Sequence, residues 1–149
     1  MKKVNDDKNA LIGTLAYALY WVDESLQASL EAAGWDRVTR TRSMLMVLIS
    51  AGVNRPADLA RSIGVSRQAI HQLIQGMKEE GIVELAADPN DRRAKTVQFS
   101  PKADQLRTDA AKIVAGIEKE LSKRIGATEF KILKKTLGMD WGKIVTVKP

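Results

Sequence analysis

The chain has 149 residues, 44% of them hydrophobic and 28% charged, with 24 Lys and Arg against 18 Asp and Glu for a formal net charge of +6, and no cysteine. That is about one domain's worth of chain with enough apolar residues for a core, so a disordered chain is excluded; without thiols, disulfides, thiolate metal sites and a cysteine redox switch are excluded as well. No apolar run reaches the length of a membrane span, and MKKVNDDKNA turns acidic and polar where a signal peptide turns hydrophobic, so a cytoplasmic protein without membrane contact is expected.

From Lys8 to Ala33 the spacing predicts one long helix. Leu11, Leu15, Leu19, Val22, Leu26 and Leu30 recur at intervals of four and three, and Ile12, Tyr17, Tyr20 and Trp21 widen the apolar surface. Gly34 is its stop signal. A second helix is predicted from Thr41 to Ala51, with the run MLMVLI inside it and Gly52 after it. Asn54 is the expected cap of a third helix, with Pro56 in its first turn and Leu59, Ala60 and Ile63 facing inward. Gly64 supplies a turn, and Ser66 caps a fourth helix from Arg67 to about Glu80. Ile82–Leu85 and Thr96–Phe99 are β-prone, and DPNDRR between them has the composition of a turn.

Ser100 followed by Pro101 predicts the cap of a fifth helix, whose stripe is Leu106, Ala110, Ile113, Ile117, Leu121 and Ile125. Gly126 breaks it. Thr128 is then expected to cap a short last helix through about Leu137, with Phe130, Leu133 and Leu137 on one face. Lys131, Lys134 and Lys135 on that helix read as solvated, and the tail MDWGKIVTVKP carries no clear pattern.

The fold class that follows is mainly α with a small β-wing: a winged helix-turn-helix with N- and C-terminal dimerisation helices. Its divisions are an N-terminal helix over 1–36, a DNA-binding winged helix-turn-helix over 37–100 and C-terminal helices over 101–149, in one continuous structural domain. A small winged domain cannot cover the stripes at both chain ends, so a two-fold homodimer is expected. Leu11, Leu15, Ile113, Ile117, Leu121, Phe130 and Leu133 are its candidate interface.

On the fourth helix, Ile70, Leu73, Ile74 and Met77 fall on one face. Arg67, Gln68, His71, Gln72 and Gln75 fall on the other, a donor-rich set suited to base edges and phosphates. Ser66 and the open amides beside it can take a phosphate. Glu79 and Glu80 are placed at the far end, away from the contact. In the wing, Asp91 is expected to pair with Arg93 and leave Arg92 to probe a minor groove, although the two arginines can exchange these roles. Lys95, Arg40, Arg42 and Arg55 are further phosphate candidates. Charge agrees with this placement: residues 1–36 carry 3 basic and 6 acidic groups, 37–107 carry 12 and 7, and 108–149 carry 9 and 5. The basic excess thus includes the reading head.

His71 is the lone histidine, a poor basis for a metal site without cysteine, so no metal, cofactor or catalytic residue is expected. No phosphate-cradling glycine loop, nucleophile elbow or paired metal ligands suggest an enzyme. Double-stranded DNA and a second copy of the chain are the expected partners. The alternatives are a winged module for protein docking, which would be more apolar at its centre, and an architectural protein that binds DNA without sequence preference.

LARSIGVSRQAIHQLIQGMKEEGIVE and DPNDRRAKTVQFSPKA resemble the MarR family of bacterial and archaeal transcription regulators. The second stretch is similar to the family's wing signature, D-x-R followed by a strand and then L-T-x-x-G. Asp91 and Arg93 stand at the signature positions, while Phe99, Ser100 and Ala103 replace the usual leucine, threonine and glycine. Gly76 stands where the family often has arginine, at a cost of about 1 kcal/mol in helix propensity relative to alanine. The resemblance implies a triangular homodimer that presents one reading helix to each half-site of a pseudo-palindrome. It further implies repression by blocking promoter access, relieved in many members by a small aromatic effector held between the dimer helices and the reading head. Tyr17, Tyr20, Trp21 and Trp35 are candidates for lining such a pocket, or else they are core or dimer contacts.

Overall fold

A computed structural model describes residues 10–148. Its elements are α1 (Leu11–Ala32), α2 (Arg40–Ser50), α3 (Pro56–Ile63), α4 (Arg67–Glu79), β1 (Val83–Asp88), β2 (Asp91–Phe99), a 3-10 turn (Pro101–Ala103), α5 (Asp104–Ile125) and α6 (Ala127–Leu137). The order is helical with one two-stranded antiparallel sheet. The start expected for the first helix, Lys8, lies outside the described residues. Two compact units are present, one ending at Ile113 and the other beginning at Val114.

The core of the first unit is a single cluster. Leu45 and Ile49 from α2, Leu59 and Ala60 from α3, and Ile70, Ile74 and Met77 from α4 meet Val83 and Val97 of the sheet. The α4 residues recur at intervals of four and three, so one face of that helix enters the cluster and the opposite face is left to solvent. Leu73 packs partly buried beside them. Gly64 between α3 and α4 has φ +80°, a left-handed conformation that a side chain strains, and its amide and that of Val65 both donate to the Ala60 carbonyl. Ser66 caps α4 as its sequence position predicts, its hydroxyl oxygen accepting from the Ala69 amide at 3.1 Å.

Three caps differ from expectation. Arg55 precedes Pro56 at the start of α3, and its side chain makes no cap bond. Asn54 is engaged otherwise: its carbonyl accepts from the Val97 amide at 2.7 Å and ties the wing to the helical core. Ser100 precedes the 3-10 turn, and its hydroxyl donates to the Gly81 carbonyl rather than capping α5. At α6 the cap residue is Gly126 with φ +104°, and Thr128 falls inside the first turn.

The strands run longer than their β-prone cores, leaving Pro89 and Asn90 as the turn. Val83 opposes Phe99, Leu85 opposes Val97 and Ala87 opposes Lys95. The next residue, Asp88, opposes Asp91. The register jump leaves Arg92, Arg93 and Ala94 as extra residues on β2, a bulge that breaks the strand alternation and re-aims their side chains.

A polar contact holds α1 to the start of α2. Asp23 is buried on α1 and accepts from the Ser43 hydroxyl at 2.6 Å and from Arg40 Nε at 3.0 Å. One turn on, Gln27 Oε1 accepts from the Val38 amide at 3.0 Å. The α1 positions that face inward are thus Asp23, Leu26, Gln27 and Leu30; of the rest of the predicted stripe Leu15 is half-buried, while Leu11, Leu19 and Val22 stay exposed, with Leu11 62% and Ile12 beside it 78% exposed. In the second unit neither the α5 residues nor α6 include a fully buried side chain. Ile132, Leu137, Met139 and Trp141 are exposed there. No helix among the described residues is long and apolar enough to cross a membrane.

Candidate nucleic-acid interface

The open face of α4 carries Arg67, Gln68, His71, Gln72 and Gln75, all exposed. Among the described residues, the side chains of the first four have no hydrogen-bond or ion-pair partner. A groove of about 610 Å³ is lined by Gln68, His71, Gln72 and Gln75 from the helix and by Lys95 and Leu85 from the wing, with Arg67 outside it. Helix and wing therefore frame one concavity, with donor groups from both sides. Gln75 is engaged: its Nε2 donates to Glu79 Oε1 at 2.9 Å. Glu79 also lines the groove, which corrects its expected placement away from the contact. Glu80 points elsewhere, onto Arg42.

At the wing tip the expected charge pair of Asp91 with Arg93 is not formed among the described residues, and Asp91 meets Arg93 only through the backbone. Its Oδ1 accepts from the Arg93 amide at 3.0 Å, and neither wing arginine finds a carboxylate among the described residues. Both guanidiniums stay exposed in the bulge. The base of the wing is pinned separately. Asp88 Oδ1 accepts from the Asn90 amide at 2.8 Å, and Oδ2 accepts from Arg55 at 2.6–2.7 Å. The Asn90 amide, with Arg55 adding to it, holds the Asp88 carboxyl below its ordinary value, although burial opposes the shift.

The other phosphate candidates are occupied. Arg40 reaches Asp23 at 3.0 Å and Glu24 at 3.3 Å, with its guanidinium 4.9 Å from the centre of the Tyr20 ring. Arg42 grips Glu80 through both terminal nitrogens, one at 2.8 Å, and holds the Glu80 carboxyl below its ordinary value. Arg55 is held by Asp88. The expectation of free cations at 40, 42 and 55 is corrected accordingly: α1, the end of α4 and the wing base each place a carboxylate against them. Sequence reading misses these pairs because the partners lie 16 to 38 residues apart.

The four aromatic candidates do not converge on one pocket. Trp35 lines a cavity of about 230 Å³ together with Val38, Met46, Leu106, Arg42 and Lys102, and its Nε1 donates to Asp109 at 3.0 Å. Tyr17, Tyr20 and Trp21 do not line it. Tyr17 is half-buried, with its hydroxyl enclosed and unpaired, and Tyr20 is exposed under Arg40. Of the candidate interface residues, Leu11 and Leu133 are exposed and Leu15, Ile113, Ile117, Leu121 and Phe130 are half-buried. Among the described residues no group of three His, Cys, Asp or Glu is placed to hold a metal ion.

Residues 38–94 match the MarR family. Among solved structures the chain is similar to the transcriptional regulator PA3341 at 25% identity, covering 86% of this chain and 93% of that one with a TM-score of 0.67. It is similar to the transcriptional repressor CouR bound to a 23-mer DNA duplex, at 19% identity over 92% and 96% of the two chains with a TM-score of 0.65. It is also similar to CouR from Rhodococcus jostii RHA1 bound to p-coumaroyl-CoA, at 23% identity over 93% and 96% with a TM-score of 0.64. The mainly helical fold with its two-stranded wing is the one these regulators share.

Proposed function

We propose that the chain, whose residues 38–94 match the MarR family, is a regulator of that family that binds a pseudo-palindromic operator as a homodimer and represses transcription. The observation that carries this reading is the groove face of α4. Its exposed side chains Gln68, His71 and Gln72 have no partner among the described residues and share a concavity with Lys95, and Arg67 stands exposed at the start of the same helix. Groups that can donate to base edges thus lie beside a wing whose two arginines are also unpaired. The major groove would take α4, and the wing bulge would meet the adjacent minor groove and its phosphates. In this reading the protein works in the cytoplasm on double-stranded DNA and is not an enzyme.

The homodimer is supported by exposed apolar residues at both ends of the described chain, Leu11 and Ile12 at one and Ile132, Leu133 and Leu137 at the other. Ile117→Lys should break the association or unfold the chain, read by sedimentation and melting. A stable monomer that holds a palindrome at full affinity would contradict this part. For an effector, the Trp35 cavity is the candidate site for a small aromatic ligand, and a relative, CouR, has been solved with p-coumaroyl-CoA. If saturating aromatic acids change neither DNA affinity nor melting temperature, the effector part falls.

Selection from random duplex DNA tests the reading as a whole. The expected pool is an inverted repeat with half-sites about one helical turn apart. Gln68→Ala or His71→Ala should then cost roughly 1–3 kcal/mol and relax preference at particular bases. Salt-sensitive binding with no enriched sequence would instead identify an architectural protein, and no binding at all a protein-docking module.

A further inference from the structure

Gln68, Gln72, Gln75 and Glu79 follow one another at intervals of four, three and four, so they share one face of α4, and all four line the groove. The bond from Gln75 Nε2 to Glu79 Oε1 settles which way that amide turns. A carboxylate only accepts hydrogen bonds, so the amide nitrogen faces Glu79 and the amide oxygen faces away from it. The half of the stripe nearest the end of α4 is therefore built of acceptors: the Gln75 carbonyl and the remaining lone pairs of Glu79. The cations of α4 lie elsewhere, Arg67 at its first residue and Lys78 outside the groove lining. Gly76 borders the same stretch, and a Cβ built on it would meet nothing within 4 Å. That opening lets a base edge come close to the helix backbone.

In the major groove, adenine N6 and cytosine N4 are donors, whereas guanine O6 and thymine O4 are acceptors. An acceptor-lined stretch attracts the first pair and repels the second. We propose that this stretch of α4 contacts the amino group of adenine or cytosine in the base pair that it meets and so fixes which strand carries that base, with Glu79 acting as a positioning residue that locks the Gln75 amide. The inference rests on the reading that α4 enters the major groove of an operator. It adds a base class at one position and assigns a specificity role to two residues.

The test is selection from random duplex DNA with the full chain, run for the wild type, Gln75→Ala and Glu79→Ala in parallel. Gln75→Ala identifies the contacted position as the one whose preference relaxes. In the major groove every base pair presents one amino-bearing base, so the reading is tested by removing that amino group from the selected site: purine in place of adenine, or pyrimidin-2-one in place of cytosine, should weaken wild-type binding by about tenfold. Glu79→Ala frees the amide to turn, and the loss should shrink to about twofold or less. The fold should survive this change, because Glu79 is exposed, and a melting curve checks it. No loss of binding on removing the amino group, no position relaxed by Gln75→Ala, or an undiminished loss in Glu79→Ala each overturns this proposal and leaves the operator reading standing. A pool with no enriched sequence overturns the operator reading and this proposal together.

Discussion

Arginine gathers in two regions of the first unit, and its surroundings differ completely between them. Where α1 meets the start of α2, Arg37, Arg40 and Arg42 all end on carboxylates: Glu24 and Glu31, Asp23 and Glu24, and Glu80 respectively. On α4 and at the wing tip, Arg67, Arg92 and Arg93 meet none among the described residues. A paired guanidinium must give up its partner before it can bind a phosphate, whereas an unpaired one gains from the encounter without that cost. The lesson is that the basic excess of the middle of the chain does not by itself locate the surface facing DNA. In the proposed function, whether a carboxylate already stands against each cation is the guide that does.

The strongest challenge to this contrast removes the scaffold beneath both regions. Ile70 is fully buried among α2, α3, α4 and the sheet, and Ile70→Ala should cost about 2–5 kcal/mol in urea unfolding. A smaller loss would mean that α4 is held by something other than this cluster. Next comes the locked region alone. Asp23→Ala leaves the buried Ser43 hydroxyl without its acceptor, and should cost about 1–3 kcal/mol of stability while leaving base preference unchanged. Altered preference in a folded Asp23→Ala protein would break the separation between the two regions.

The smallest effect concerns acid. The ordinary carboxyl values of Glu80 and Asp88 are 4.5 and 3.8, and both groups are held below them in the fold. As pH falls, the unfolded chain takes up these protons first. Their contribution is therefore complete above the ordinary values and is lost as pH drops through the depressed ones. Glu80 is more than half exposed, 53% at the side chain, so solvent screening keeps its pair with Arg42 to below about 1 kcal/mol. Glu80→Gln should flatten the stability curve slightly below pH 4.5 and leave it unchanged at neutral pH within that margin. A large loss at neutral pH would sharpen the contrast by making Arg42 a structural anchor.

What could be read from the chain divides along the same line. The inner face of α4 follows from the spacing of Ile70, Ile74 and Met77, the turn from Gly64 and the cap from Ser66, because each depends on residues within one or two helical turns. The arginine pairs were not legible, since they join α1 to α2, α2 to the end of α4, and α3 to the wing. Nothing local to Arg40 announces Asp23. The wing bulge was hidden for a related reason: the DPNDRR composition marks a turn, but only strand pairing decides that Asp91 opposes Asp88 and that Arg92 and Arg93 become extra residues. Gln75 was readable as a polar reading-face residue. Its bond to Glu79, one helical turn away, follows an i, i+4 spacing, but the position of Glu79 at the far end of the helix reads as outside the contact.

The measurement that bears most directly on this contrast is the salt dependence of binding to a selected duplex, compared between two multiple variants. One carries Arg92→Ala, Arg93→Ala and Lys95→Ala, and the other carries Arg40→Ala and Arg42→Ala. Each lost phosphate contact lowers the slope of log K against log salt by about 0.9. With two wings in the proposed homodimer, the wing variant should lose between about four and five units of slope, and the α2 variant should keep the wild-type slope even if it melts earlier. An unchanged slope in the wing variant, or an equal loss in both, would contradict the assignment of DNA contact to the unpaired cations.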